Sequence, residues 1–312
     1  MKRTGLYTTL LLCVLLSFGI AAYADDVIQK SYTVEPGGKF FLDTDIGPIE
    51  VHSAAESRVS VDVVIEKRSM TGSALEFFNK EFDLNFEQQG NTVRVICERK
   101  GRSHHFWNNI SRKIHVEFRV TLPEKFNAEL GTSGGGITVS DLAGDVTAKT
   151  SGGGLHFGNI KGRLTGKTSG GGITLEGGEG EVDVHTSGGG IEIGKVRGNV
   201  KASTSGGGIS VEEVMGNIDA STSGGPVNVT ITRTPTADCK LTTSGGGITV
   251  RLTPDAAIHV DASTSGGHVS TDFPVLVKGK LDSRSLQADI NGGGPLLFLR
   301  TSGGGISIRQ IQ

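Results

Sequence analysis

Thr132-Ser133-Gly134-Gly135-Gly136-Ile137-Thr138-Val139 is the stretch on which the fold turns. The same corner-plus-strand form returns at Thr150, Thr168, Thr186, Thr204 and Thr222, always after 18 residues. It returns again at Thr243 and Thr264 after 21, and once more at Thr301. Repetition at a fixed period marks a chain built from stacked supersecondary units. Inside each unit the apolar positions are fixed. Ile137 and Val139 alternate, Leu142 follows, and Val146, Ala148 and Thr150 alternate in turn. Period-two alternation indicates strands with one buried face. One such unit is too small to bury its own apolar face, so neighbouring units must stack and share a core.

The expected fold is therefore all-β: a single-stranded parallel β-solenoid, β-helix-like, with 18–21-residue coils. Equivalent residues should form columns, Ile137 over Leu155 over Ile173. The structural corners are the first two glycines of each unit: Gly134 and Gly135, Gly152 and Gly153, Gly170 and Gly171, Gly188 and Gly189, Gly206 and Gly207. Glycine there is expected to supply positive φ and to let adjacent backbones approach. Pro226 and His268 replace the third glycine, so that position needs no left-handed backbone. The three-residue insertions at Thr234-Pro235-Thr236 and Thr253-Pro254-Asp255 fall on the mid-unit turn, where a surface loop tolerates them. Between Thr264 and Thr301, the spacing Gly279, Leu281, Ser283, Ser285 mimics the end of a unit and predicts a degenerate coil opening at Ser285, for ten coil starts from Thr132 onward.

The chain divides into residues 1–24, a secretory signal; 25–131, an N-terminal cap and irregular first coils; and 132–312, the regular solenoid. Lys2 and Arg3, the apolar run Leu10–Ile20 and Ala22-Tyr23-Ala24 make the signal. The run is too short to span a membrane, and Cys13 lacks the small residues of a lipidation site. In the cap, Thr44-Asp45-Ile46-Gly47-Pro48-Ile49-Glu50-Val51 is a worn copy of the corner-plus-strand form. Ser73–Glu81 has helical character. Ile114, Val116, Phe118, Val120 and Leu122 alternate as a strand.

Composition narrows the function. Gly is 48 of 312 residues with only 8 Pro, which excludes collagen-like and Pro-rich linker classes. Without Lys2 and Arg3, 29 basic residues face 33 acidic ones, which does not favour nucleic acid as a partner. Cys97 and Cys239 fall on inward phases and are expected to be buried free thiols. The glycine runs lead into strands, not helices, unlike a P-loop. Gly177-Gly178-Glu179-Gly180-Glu181 occurs once, unlike a calcium β-roll. Thr147 and Lys149, Thr165 and Lys167, Asp183 and His185, Lys201 and Ser203 face outward, and their charges argue against an ice-binding array. No carboxylate cluster is visible, so no catalytic residue, metal or cofactor is expected. The one chemically distinctive loop carries Arg102, His104, His105 and Trp107, a basic and aromatic set that suits an anionic glycan or, less well because adjacent His side chains point apart on extended chain, a metal. The plainer reading is a solvated hairpin loop with a packed Trp.

Thr44, Gly47, Ile49 and Val51, the Val120-x-Leu122-Pro123 step and the run of Ser-Gly-Gly corners together resemble the bacterial putative adhesin family, exported Gly-rich β-repeat domains of unknown function. The resemblance covers about residues 30–310. It implies a β-solenoid sent to the cell envelope and supplies no catalytic residues. The expected function is a non-enzymatic adhesin or envelope scaffold surface, with an envelope glycan or protein as partner, no nucleic acid, no membrane span, and the periplasm as compartment. The alternative is a carbohydrate-active enzyme, a polysaccharide lyase or hydrolase on a β-helix.

Overall fold

The computed structural model describes residues 26–101, 112–275 and 283–311. It contains two long sheets facing each other across one apolar core. Sheet one collects the strands that follow the glycine corners, such as Ile137–Val139, Leu155–Lys161 and Ile173–Glu179. Sheet two collects the strands that precede them, such as Asn127–Thr132, Val146–Thr150 and Leu164–Lys167. Each unit gives one strand to each sheet, and successive units pair in parallel with an 18-residue offset. Leu155 pairs with Ile137 on one side and Ile173 on the other, so the expected inward columns exist. Ile137, Leu155, Ile173, Ile191 and Ile209 are all 0–1% exposed. Both three-residue insertions lie between a sheet-one strand and the next sheet-two strand, on the mid-unit turn.

Of the two roles the sequence suggests for the recurrent corner glycines, close backbone approach holds and positive φ does not. The corner glycines of the regular units do not adopt positive φ. The second glycine of each corner is needed because the stacked backbones approach too closely there for a Cβ. At Gly189 an added Cβ would overlap the Gly171 carbonyl oxygen and the Gly172 nitrogen of the rung below. Positive φ is found instead at mid-unit turns, as at Gly180, φ 133°. The corner threonines complete the arrangement. Thr132, Thr150, Thr168, Thr186, Thr204, Thr222, Thr243, Thr301 and Thr264 are buried. Each donates its hydroxyl to a corner-glycine carbonyl one rung away, at 2.6–2.8 Å. A column of hydroxyls on the inward phase is thus satisfied without water. Thr186→Val keeps the shape but orphans the Gly171 carbonyl, and should lower stability by about 1–3 kcal/mol. Gly189→Ala must push two rungs apart and should cost a similar or larger amount. Thermal unfolding of both variants checks this. A melting point unchanged in either would contradict its assigned role.

Eleven rungs stack, roughly 50 Å at about 4.8 Å each, and at both ends their order in space departs from their order in the chain. The worn unit is the second rung. Its strands Lys39–Thr44 and Ile49–Ala54 lie between the first regular rung on one side and strands Thr92–Arg99 and Ile114–Pro123 on the other. Cys97 therefore stands at the threonine position of the outermost rung, beside Thr44. The antiparallel strands Asp26–Thr33, Arg58–Lys67 and Phe82–Gln89 close this end. Helix Ala74–Glu81 packs there too, with Ser73 as N-cap accepting from the Glu76 amide, and Phe78 stacked on Phe82. At the other end the last unit in the chain, Leu296–Thr301 with Ile306–Gln310, is slotted between the Cys239–Leu252 rung and the Ile258–Thr271 rung.

The degenerate coil at Ser285 is corrected by this arrangement. Ser285–Ile290 runs antiparallel to Ile258–Ser263 and covers the sheet-two edge. Its alternation is that of a strand, but its direction is reversed, and alternation carries no direction.

Both cysteines of the described chain are free and buried, as expected. Burial pushes the Cys97 thiol up to about 12 and also raises that of Cys239. A thiol reagent at neutral pH should label neither in the folded protein and both after denaturation. Rapid labelling of Cys97 in the native state would contradict its place in the core.

Candidate binding surface

With the core filled by apolar columns and threonine hydroxyls, chemistry is left to the outward columns. On sheet one, Glu50, Thr138, His156, Thr174, Glu192, Ser210, Asn228 and Thr249 stand in register, one per rung. His52 of the second rung pairs with Glu50 at 3.1 Å. It lines an open depression of about 500 Å³ with Thr138, Ser140, Asp141, His156 and Glu176. Among the described residues, no three His, Cys, Asp or Glu side chains converge as metal ligands.

On sheet two the outward column Asp183, Lys201, Asp219, Lys240 alternates in sign along the register. The next column does not alternate: Lys149 pairs in register with Lys167, and Lys167 with His185. Beside Lys149 the column is interrupted by Gly131, which leaves a notch of about 270 Å³. Phe41, Asp43, Glu129, Ser133 and Thr147 line the notch with Lys149. A Cβ at Gly131 would come within 2.5 Å of Asp43 Oδ1. Glu129 is held by Lys39 at 2.7 Å. The Lys39 ammonium, aided by the charges of Lys149 and Arg94, keeps its carboxyl below the usual range. Arg94 stacks on Phe41, 4.1 Å from the ring centre.

The binding loop expected from the sequence, Arg102, His104, His105 and Trp107, lies outside the described residues, as does the 1–24 segment. Its entry is described: Lys100 pairs with Asp83 at 3.0 Å and donates to the Asn79 carbonyl. Of the ten corner glycines named from sequence, all but Gly134 and Gly152 leave no room for a Cβ against the backbone of a neighbouring rung. Lys149 and Lys167 are legible as outward residues from alternation alone. What the sequence does not bring together is Asp43 with Gly131, joined only because the worn unit stacks on the first regular rung.

The model of Toastrack DUF4097 matches residues 54–309. The chain belongs to this family. The match takes in the stacked rungs other than the worn unit of residues 39–54, and confirms the resemblance carried by the Gly-rich strand repeats. Among solved structures, a putative adhesin from Bacteroides fragilis is 13% identical, with a TM-score of 0.36, covering 93% of this chain and 99% of that one. A putative lipid binding protein from Parabacteroides distasonis is 11% identical, with a TM-score of 0.40, covering 92% and 97%. A putative adhesin from Parabacteroides merdae is 11% identical, with a TM-score of 0.35, covering 92% and 96%. No curated protein matches the chain. Among the described residues no helix is long and apolar enough to cross a membrane.

Proposed function

We propose that this Toastrack protein is an exported, non-enzymatic binding or scaffold surface of the cell envelope, working in the periplasm, with an envelope glycan or protein as its partner. The observation that supports this best is the register itself. Eleven rungs present outward side chains at a constant spacing on a stiff core, so a repeating partner can be met by a repeating surface. Export rests on the reading of residues 1–24 as a signal. A rigid array fixed by packing binds with little ordering cost, which favours recognition of extended chains.

Two measurements test the proposal. Fractionation of cells producing the chain should place it in the periplasm without residues 1–24. The purified mature chain should bind an envelope polysaccharide saturably on a glycan array, leaving the saccharide chain uncut. Cytoplasmic retention, shortening of the saccharide, or an array with no signal above control would each overturn the corresponding part.

A further inference from the structure

We propose that the Lys149–Lys167 doublet and the adjoining Gly131 notch form a subsite for an acidic saccharide, one whose carboxylate or sulfate groups recur along an extended chain. This deepens the binding-surface reading and rests on it.

The first argument is electrostatic. Like charges directly opposed on neighbouring strands are destabilising. The column beside this one avoids the cost by alternating Asp183, Lys201, Asp219 and Lys240. Sheet one alternates likewise at Lys161, Glu179 and Arg197. Its in-register Arg251 and Arg309 are relieved by Asp272, 2.8 Å from Arg309. Lys149 and Lys167 are opposed with no carboxylate in direct contact, Glu129 acting on Lys149 only through its field. Neither has an ion-pair or hydrogen-bond partner among the described residues. Glu129 is already engaged by Lys39, and Asp183 faces Lys201 in register. Two lysines whose backbones are one rung apart, roughly 4.8 Å, can bring both ammonium groups to one anion.

The second argument is shape. Next to the doublet the column loses a side chain at Gly131, opening a recess with the Phe41 ring in its wall. The Asp43 carboxylate leans over Gly131 into the recess, exposed and without a hydrogen-bond or ion-pair partner among the described residues. A carboxylate accepts from sugar hydroxyls, an aromatic ring packs against sugar C–H groups, and Ser133 and Thr147 add hydroxyls. An inorganic anion would use only the lysines. A sugar bearing an acid group uses both halves, with the acid on Lys149 and Lys167 and its hydroxyls toward Asp43. The rung spacing is close to the advance of an extended pyranose chain, so a neighbouring acid unit could reach the second lysine.

The test uses the mature chain and measures affinity calorimetrically for oligogalacturonate and dextran sulfate, each beside its neutral parent saccharide. Vesicles containing phosphatidylglycerol supply the other source of anionic groups. Binding of an acidic saccharide and not its parent is expected. K149Q/K167Q should weaken it by about tenfold or more. G131Q, which fills the notch but leaves both lysines, should weaken it comparably. K201Q/K240Q, in the alternating column, should bind as wild type. K149Q/K167Q should melt no lower than wild type, because a repulsion has been removed. The proposal is overturned if neither acidic saccharide binds, if the neutral parents bind equally, or if K149Q/K167Q or G131Q binds within twofold of wild type. It is also overturned if vesicles bind and oligogalacturonate cannot displace them. Saccharide binding that survives both variants would leave the broader surface reading intact and place the site elsewhere.

Discussion

Deleting residues 294–312 is expected to abolish cooperative folding of the far end of the stack, although the segment follows every other rung in sequence. In a solenoid whose rungs follow chain order, trimming the last unit exposes one new end and costs one interface. Here the segment is an interior rung. Leu296–Thr301 hydrogen-bonds to Cys239–Thr243 on one side and to Ile258–Thr264 on the other. Ile306–Gln310 does the same between Ile248–Leu252 and Val269–Thr271. Leu297, Leu299, Ile306 and Ile308 are each wholly buried, worth about 1.5–3 kcal/mol apiece. Their sum is of the order of the net stability of a whole domain, about 5–15 kcal/mol.

The deletion also breaks hydroxyl bonds on both faces, Thr301 to Gly246 and Thr264 to Gly304. The Asp261–Arg300 pair at 2.7 Å goes with them. The Ile258–Thr271 rung could restack only by moving down one rung. It would then present Val260 and Ala262 where Leu297 and Leu299 had been, under-filling the core. Limited proteolysis should therefore cut within Ile258–Thr271 in the truncated protein and not in the full chain. A synthetic peptide of residues 294–312 added in trans should restore protection. A truncated chain that melts within a few degrees of the full one, with Ile258–Thr264 still protected, would refute the interior placement.

The same feature explains what the sequence can and cannot convey. A period of 18 residues makes each residue's neighbour above and below readable by counting. The inward columns, the outward series from Thr138 to Thr249 and the buried thiols follow from counting and alternation. Where the chain doubles back, counting fails. Gly279, Leu281, Ser283 and Ser285 match the spacing of a unit's end, yet Ser285–Ile290 pairs antiparallel. A usable signal is present: every corner threonine is preceded by its own strand, and Thr301 already has Leu297 and Leu299. The Ser285 strand is therefore surplus to the coils. The repeat places the corner glycines and makes close backbone approach legible, but not that positive φ plays no part there. A glycine required by a backbone one rung away looks, in sequence, like a glycine required by its own φ. The notch at Gly131 is hidden for a related reason. Nothing near residue 131 in the chain points to Asp43, 88 positions earlier, until the worn unit is seen to be the neighbouring rung.

Ile191→Asp should be among the most damaging single changes in the molecule, while Thr174→Lys, one rung away, should be nearly silent. Ile191 is 1% exposed and stacks between Ile173 and Ile209. The buried polar or charged side chains of the described core are all threonines, so no cation waits to pair with a carboxylate there. An unpaired buried charge costs several kcal/mol, and the group escapes part of that by staying protonated. The sign of the pH dependence follows. The variant's Asp would have a folded-state pKa raised above its unfolded value of about 3.9. Its penalty is therefore least below that value and grows as pH rises toward the folded-state pKa. The stability deficit of Ile191→Asp should be several kcal/mol at pH 7 and clearly smaller near pH 4. Thr174 lies on the outward column between His156 and Glu192. A lysine there extends into solvent beside an acidic neighbour and should change stability by no more than about 0.5 kcal/mol. Because each rung touches only its neighbours, hydrogen exchange should show Ile191→Asp loosening rungs from Thr168 to Ile209 before the ends. Equal melting of the two variants, or a deficit in Ile191→Asp that does not shrink on acidification, would mean that Ile191 does not face the shared interior.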